Sequence, residues 1–256
     1  MYGFQRIVHA GWENRPGNRG CPGPGREISL GLAQYGASLI LADVVYPQET
    51  TKLVKQCGSR CLAFQTDISD ESQVQELTKM AGAEYRQVDI LVNNAGVSQL
   101  SYIATEDLPL DQWDHIVEIN LRGTFLCCKH IAKSMISGGG GSIVNIASTA
   151  GISGVPRAPA YCVSKSGIIL LTKSLALEWA RHHIRVNSIA PHYLETDLTR
   201  GLRDSEKIHE AIVKQIPLRR FGKASEVVGA VLYLSSNASS YTTGTVIPVD
   251  GGYLAQ

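Results

Sequence analysis

The sequence predicts one α/β domain built on a doubly wound, mainly parallel sheet with helices on both faces. Two observations carry this reading. Beyond residue 26, short apolar runs alternate with helix-patterned segments, the order that buries a parallel sheet between two helical layers. The runs also end on polar residues, Asp43, Asn93-Asn94 and Ser148, at the strand edge where ligands of such sheets bind. At 256 residues the chain is long enough for one well-buried domain, so 1–256 is read as a single unit.

The elements follow in order. Glu27 to Tyr35 reads as a helix ended by Gly36, since glycine readily takes the left-handed turn that closes a helix. Ser38 to Ala42 is a short apolar strand with Asp43 at its end, Gln48 to Gln56 is helical, and Cys61 to Gln65 is a strand leading into Thr66-Asp67. Ser69-Asp70-Glu71 supplies capping side chains for a helix to about Tyr85. Val88 to Val92 is a strand. Leu110 to Ile136 reads as one long helix, with apolar residues at Ile116, Ile119, Leu126 and Ile131. Gly138 to Gly141 forms a loop before the strand Ile143 to Ala147. A helix from about Ala158 to Ala180 follows, then strands at Ile184 to Ile189 and Thr245 to Val249. Between them, residues 191 to 222 read as a polar insertion with short helices, and no internal repeat is present.

Composition narrows the function classes. The formal charge is +1 and 18% of residues are charged, without the basic stripe that nucleic acid demands. No uninterrupted apolar run is long enough to span a membrane, and the start Met1-Tyr2-Gly3-Phe4-Gln5-Arg6 lacks a secretory core, so a cytoplasmic protein is expected. The six cysteines make no C-x-x-C pair, and His182-His183 has no carboxylate cluster beside it. Reduced thiols and no metal are expected.

The chemistry concentrates in Ser148, Tyr161 and Lys165. Four residues apart on a helix, Tyr161 and Lys165 share a face. A phenol titrates near ~10, too high for efficient proton exchange at neutral pH, and an ammonium beside it favours the phenolate. Ser148, at the end of an apolar strand, offers a hydroxyl to a carbonyl oxygen. A lone Tyr-x-x-x-Lys is ordinarily a solvated helix face; the company it keeps decides otherwise.

That company is Asn93-Asn94-Ala95-Gly96 after an apolar run, Asn120 within Glu118-Ile119-Asn120-Leu121-Arg122-Gly123, and the ending Pro248-Val249-Asp250-Gly251-Gly252. Together, over roughly residues 26 to 256, these resemble the short-chain dehydrogenase/reductase family, with its Rossmann-like fold. The resemblance implies hydride exchange between a nicotinamide and a carbinol carbon. Tyr161 exchanges the hydroxyl proton, Ser148 binds the same oxygen, and Lys165 tunes Tyr161 and holds the nicotinamide ribose. Asn120 offers a backbone carbonyl to a proton-relaying water, or is a buried structural amide. It further implies cofactor contacts from Asn94, Ala95, Gly96, Asp67, Ile68, Pro191 and Thr196, though Asp67 equally suits a turn cap.

Asp43 at its strand end can accept hydrogen bonds from the adenosine ribose. It would repel a 2′-phosphate by about 4 kcal/mol per charge pair at 4 Å and intermediate dielectric, which favours NAD with NADP as the alternative; it equally suits a helix cap. His192 stands where the family has glycine, and either touches substrate or fills space. Arg157, Tyr193, Arg200 and Arg203 are read near the substrate side, where they meet an anionic group or, the favoured reading, stay on the surface. By resemblance the insertion closes over a small-molecule substrate, and the long helices pair subunits into homodimers or homotetramers. The chain is most similar to gluconate 5-dehydrogenase-type, deoxygluconate dehydrogenase-type and 3-oxoacyl-carrier-protein reductase-type members. Oxidation of a sugar acid or polyol is expected, with reduction of a 3-oxoacyl thioester second. A dinucleotide sensor without turnover is the reading from another class.

One segment departs from the family. An apolar first strand should lead into Thr-Gly-x-x-x-Gly-x-Gly, whose glycines let backbone N–H groups reach a pyrophosphate. Here residues 9 to 25 carry three prolines, two arginines and two asparagines. They predict a poor central strand, and Pro22 and Pro24 remove donors from the turn, leaving Gly23 and Gly25 as its glycines. Reading the codons of residues 8–25 one base later changes this. Trp12 then forces a glycine codon, and Glu13-Asn14 forces Lys or Arg. Permitted choices for the rest spell Phe-Thr-Leu-Asp-Gly-Lys-Thr-Ala-Leu-Val-Thr-Gly-Ala-Ala-Arg-Gly-Leu-Gly, in register with Arg26-Glu27-Ile28. Two compensating frameshifts account for the anomaly; a divergent Gly/Pro-rich loop is the alternative.

Overall fold

A computed structural model describes residues 6–10, 23–85, 87–98 and 103–256. Seven parallel strands form the main sheet: β1 Arg6–Ala10, β2 Ser38–Asp43, β3 Cys61–Gln65, β4 Ile90–Asn93, β5 Gly141–Ile146, β6 Ile184–Pro191 and, last in the chain, Val246–Val249. Their side chains alternate between two cores because successive residues of a strand face opposite sides. Ile40 and Ala42 of β2 join one core, while Leu39 and Leu41 join the other. Both faces are covered, so the strands read as continuous apolar runs. Full burial of each Leu or Ile contributes about 1.5–3 kcal/mol.

Helices α1 Pro24–Gln34 and α2 Gln48–Gln56 cover one face. The other carries α3 Glu71–Tyr85, then α4 Leu110–Val117 and α5 Thr124–Gly138, and α6 Pro159–Trp179. The insertion at 191–222 holds the strand β7 Leu194–Glu195, the short helices α7 Arg200–Asp204 and α8 Glu206–Gln215, and the strand β8 Gly222–Lys223, which pairs with β7. A helix the sequence reading passed over, α9 Val228–Ser235, packs beside α1 ahead of the final strand, β9. A Cβ on Gly31 of α1 would overlap Val228 at 2.3 Å, so the two helices touch through a glycine.

The sheet order is β3-β2-β1-β4-β5-β6-β9, which reverses direction between β1 and β4. A crevice at the carboxyl ends of these strands is where such sheets bind ligands.

One expectation is corrected and two are refined. The first strand is present: Arg6–Ala10 pairs with β2 and β4, although His9 and Ala10 belong to the stretch read as unfit for it. The β-branched pair Ile7 and Val8, each 1% exposed, anchors it, and Arg6 bonds Asp89 at 2.8 Å. The long helix is present from Leu110 to Gly138 and carries a π turn at Glu118–Gly123 between α4 and α5. And α6, extended by one turn to His182, is long and apolar enough to cross a membrane by length and composition, yet its inner face is buried on the sheet. Residues 11–22, the glycine-turn segment, lie outside the described residues, as do most of those in the reframed stretch.

Candidate active site

Helix α6 carries Tyr161 and Lys165 one turn apart, and Lys165 Nζ lies 5.8 Å from the centre of the Tyr161 ring. Lys165 is 4% exposed, with Nζ donating to the Ile146 carbonyl at 2.9 Å. Burial pulls its pKa down from 10.5 to about 8. The unfolded chain therefore holds a proton that the folded one releases between about pH 8 and 10.5, and stability rises with pH across that window. Lys165→Met is expected to stabilise the ligand-free protein at pH 7 by roughly 1–2 kcal/mol, after the lost Ile146 hydrogen bond is counted. Urea melts should show the gain vanishing toward pH 10.5.

Ser148 stands two residues beyond β5 and is 9% exposed. Its hydroxyl oxygen accepts from Ala150 N–H at 3.1 Å and its proton points to the Pro191 carbonyl at 3.5 Å. The ends of β5 and β6 are thus tied together at the reacting edge. Gly151 holds this turn against α6: an added Cβ would lie 2.7 Å from the Lys165 carbonyl group and 2.9 Å from Ser166 N. Both neighbours are backbone, so Gly151→Ala is expected to cost about 2 kcal/mol. A thermal melt should fall by roughly 4–8 °C. The sequence reading missed this glycine; only its place three residues after Ser148 marks it.

Asn120 is fully buried in the π turn. Its side chain accepts from Val97 N–H at 2.7 Å, donates to the Val97 carbonyl at 2.9 Å, and donates to Ser164 Oγ at 3.1 Å. Ser164 in turn donates to the Tyr161 carbonyl at 2.8 Å, so the loop after β4 is fastened to the Tyr161 turn. Ser164 too escaped the sequence reading. The Asn120 carbonyl accepts the Thr124 hydroxyl at 2.7 Å. Both sequence readings of Asn120, structural amide and carbonyl donor of a lone pair, are compatible with this geometry.

At the switch point the residues fit the nicotinamide end of a dinucleotide. Asn94 is 9% exposed and its Oδ1 is buried without a partner. A Cβ on Gly96 would crowd Asn120 Oδ1 at 3.2 Å and Lys165 Nζ at 3.3 Å, so glycine keeps this cradle open. Ala95 lies between them, and Pro191 and the buried Thr196 flank the same edge from β6 and the loop behind it. Asp43, expected at the adenosine end, closes β2, buried, and accepts Val45 N–H at 3.2 Å. Asp67 accepts both Ser69 N–H and its hydroxyl, the turn-capping role, and Ile68 is buried under Gly123. Gly23 caps α1 and Gly25 lies in its first turn, accepting the Ser29 hydroxyl at 2.8 Å.

The substrate side is partly aromatic. His192 stacks on Tyr253 with ring centres 3.9 Å apart and meets Tyr193 edge-on at 4.5 Å. Arg157 is exposed at φ +61°, while Arg203 donates to the Thr196 carbonyl at 3.0 Å and Arg200 pairs with Asp197, so these two hold the loop itself.

Comparison with known proteins identifies the family. Residues 22–254 match the family model described as enoyl-(acyl carrier protein) reductase. The chain is 39% identical over 242 residues to the 2-dehydro-3-deoxy-D-gluconate 5-dehydrogenase of Escherichia coli, covering 93% of this chain and 94% of that one. It is 37% identical over 233 residues to the 3-oxoacyl-(acyl-carrier-protein) reductase of Thermotoga maritima, covering 90% and 93%. The crystal structure of a gluconate 5-dehydrogenase from Burkholderia cenocepacia, in complex with NADP and tartrate, superposes with a TM-score of 0.88 at 29% identity, over 98% and 96% of the chains. The chain belongs to the short-chain dehydrogenase/reductase family and is an NAD(P)-dependent oxidoreductase acting on CH–OH donors.

Proposed function

We propose that the enzyme oxidises a secondary hydroxyl of a sugar acid or polyol, with NAD preferred over NADP. The observation that carries the chemistry is Tyr161 held one helical turn from a buried Lys165. Bound nicotinamide supplies the hydride acceptor. Tyr161 takes the hydroxyl proton as phenolate, and the Lys165 cation stabilises that charge. Ser148 donates to the same oxygen and holds the carbinol carbon in place. The Asn120 carbonyl receives a water that passes protons toward Lys165. Asn94, Ala95, Gly96, Pro191 and Thr196 line the nicotinamide edge, and Gly23 and Gly25 lie at the pyrophosphate. Asp67 and Ile68 border the adenine, and Asp43 binds the adenosine ribose.

The sugar-acid relative and the tartrate-bound neighbour support the substrate class, and the buried Asp43 carboxylate supports NAD. The Thermotoga relative supports a second reading, reduction of a 3-oxoacyl thioester. A panel of sugar acids, polyols, hydroxysteroids and 3-oxoacyl thioesters, each with both dinucleotides, separates them. The expected result is NAD reduction with a sugar acid or polyol at the highest kcat/KM. Faster NADPH-linked thioester reduction would favour the second reading, and dinucleotide binding without any turnover would favour the sensor.

The outer face of α6 also argues for self-association. Val163, Leu170 and Leu177 recur every seven residues and are exposed, Leu177 at 85%. Such a stripe fits a helix of a second copy. Light scattering should show a dimer or tetramer, and Leu170→Glu with Leu177→Glu should give monomers; a monomeric unmodified protein would contradict this. We read 1–256 as one domain, 191–222 as its substrate loop and 8–25 as frame-shifted.

A further inference from the structure

His192 is unusually well fixed for a residue that follows the reacting edge. Its N–H donates to the Val249 carbonyl at 3.1 Å, which sets the backbone. Its ring is stacked on Tyr253, and Tyr253 is itself placed by Asp250, whose carboxylate accepts Gly252 N–H at 2.9 Å and Leu254 N–H at 2.8 Å. Its Nδ1 lies 2.7 Å from the hydroxyl of Thr149, the residue after Ser148. Thr149 is 3% exposed, and its hydroxyl has no other hydrogen-bond partner among the described residues. If Nδ1 carried the proton, the Thr149 proton would be buried without an acceptor, at a cost of about 1–3 kcal/mol. The network therefore selects the tautomer in which Thr149 donates to Nδ1 and the proton sits on Nε2. Nε2 has no hydrogen-bond partner among the described residues and is not among the fully buried unpartnered atoms, so it keeps some exposure.

We propose that His192 is a specificity-determining residue: Thr149 locks its ring so that Nε2–H faces the substrate space beside Ser148, a donor for an oxygen the substrate carries beyond its reacting carbon. The inference rests on the dehydrogenase reading and deepens it. Burial holds the imidazole pKa down at about 4 even though Asp250 pulls it upward, so the ring stays neutral in use. Recognition is then by hydrogen bonding, suited equally to a hydroxyl and to a carboxylate oxygen. The aromatic run continues from Tyr193 to Phe221 and on to His209 of α8, which connects this donor to the insertion.

The test has two parts. Nitrogen-15 NMR of the full chain labelled at histidine reads the tautomer directly. The expected result at pH 7 is Nε2–H for His192, shifting to a tautomer mixture in Thr149→Val; an Nδ1–H ring in the unmodified protein would overturn the proposal. Kinetics then compare His192→Phe, which keeps the stacking, on D-gluconate and glycerol against cyclohexanol, which has no second oxygen. The variant should lose about 10- to 100-fold in kcat/KM on whichever oxygenated probe the enzyme uses, through KM, with cyclohexanol changed less than about twofold. His192→Gln should recover part of the loss. Equal losses on all probes, or none on the oxygenated ones, would overturn the assignment. A protein carrying the reframed 8–25 segment that oxidises none of these probes counts against the dehydrogenase reading, and the tautomer result still decides whether the donor exists.

Discussion

Replacing Tyr161 by phenylalanine is expected to lower kcat by about 100- to 10,000-fold, the range that a positioned general acid–base contributes. That corresponds to roughly 3–5 kcal/mol of transition-state stabilisation. Phenylalanine preserves the ring, the α6 turn and the hydrogen bond from Lys165 to Ile146, so the binding surface is retained. Dinucleotide affinity should stay within about threefold, and the loss should fall on kcat with KM little changed, the signature of an interaction made in the transition state. Steady-state kinetics paired with a dinucleotide titration check both halves. Turnover near the unmodified level would mean that another group moves the proton.

The second large effect concerns residues 8–25. Substituting the shifted-frame reading for the written one is expected to tighten NAD binding by about 100-fold or more. Pro22 and Pro24 withhold two N–H donors from the pyrophosphate turn, and each charge-assisted bond contributes about 1.5–3 kcal/mol. The replacement also brings Ala-Leu-Val to residues 15–17, which competes with Arg6–Ala10 for the slot between β2 and β4. A titration by calorimetry on both chains measures the difference, and ordinary micromolar affinity in the written chain would contradict it. Resequencing the source DNA bears on the same point. An uninterrupted frame encoding His9 through Gly25 as written removes the frameshift explanation.

Much of the fold is legible because its signals are local. The runs Ser38 to Ala42 and Cys61 to Gln65 are short, apolar and bounded by turn residues, and the structure places strands there with ends within one residue. Ser148, Tyr161 and Lys165 are legible because chemistry fixes their types and one helical turn fixes a spacing. The π turn at Glu118–Gly123 is not: the apolar spacing of Ile116, Ile119 and Leu126 suits an α-helix throughout, and the Asn120 side chain within the turn pairs with Val97, a loop residue 23 positions earlier. Helix α9 was missed because its run is apolar throughout and carries no periodic polar face. Gly151 and the Thr149–His192 bond are invisible for the same reason. Each depends on a partner on another element, α6 for Gly151 and the end of β6 for Thr149. The first strand shows the converse, since tertiary pairing on both edges recruits Arg6–Ala10 despite unfavourable residues downstream.

The most direct test of the central claim is dinucleotide reduction across the oxygenated panel by the chain carrying the reframed segment, run beside its Tyr161→Phe variant. The account predicts NAD reduction with at least one sugar acid or polyol, lost by about 100-fold or more in the variant. Reduction that persists undiminished in Tyr161→Phe, or none with any probe once the glycine turn is restored, would contradict it.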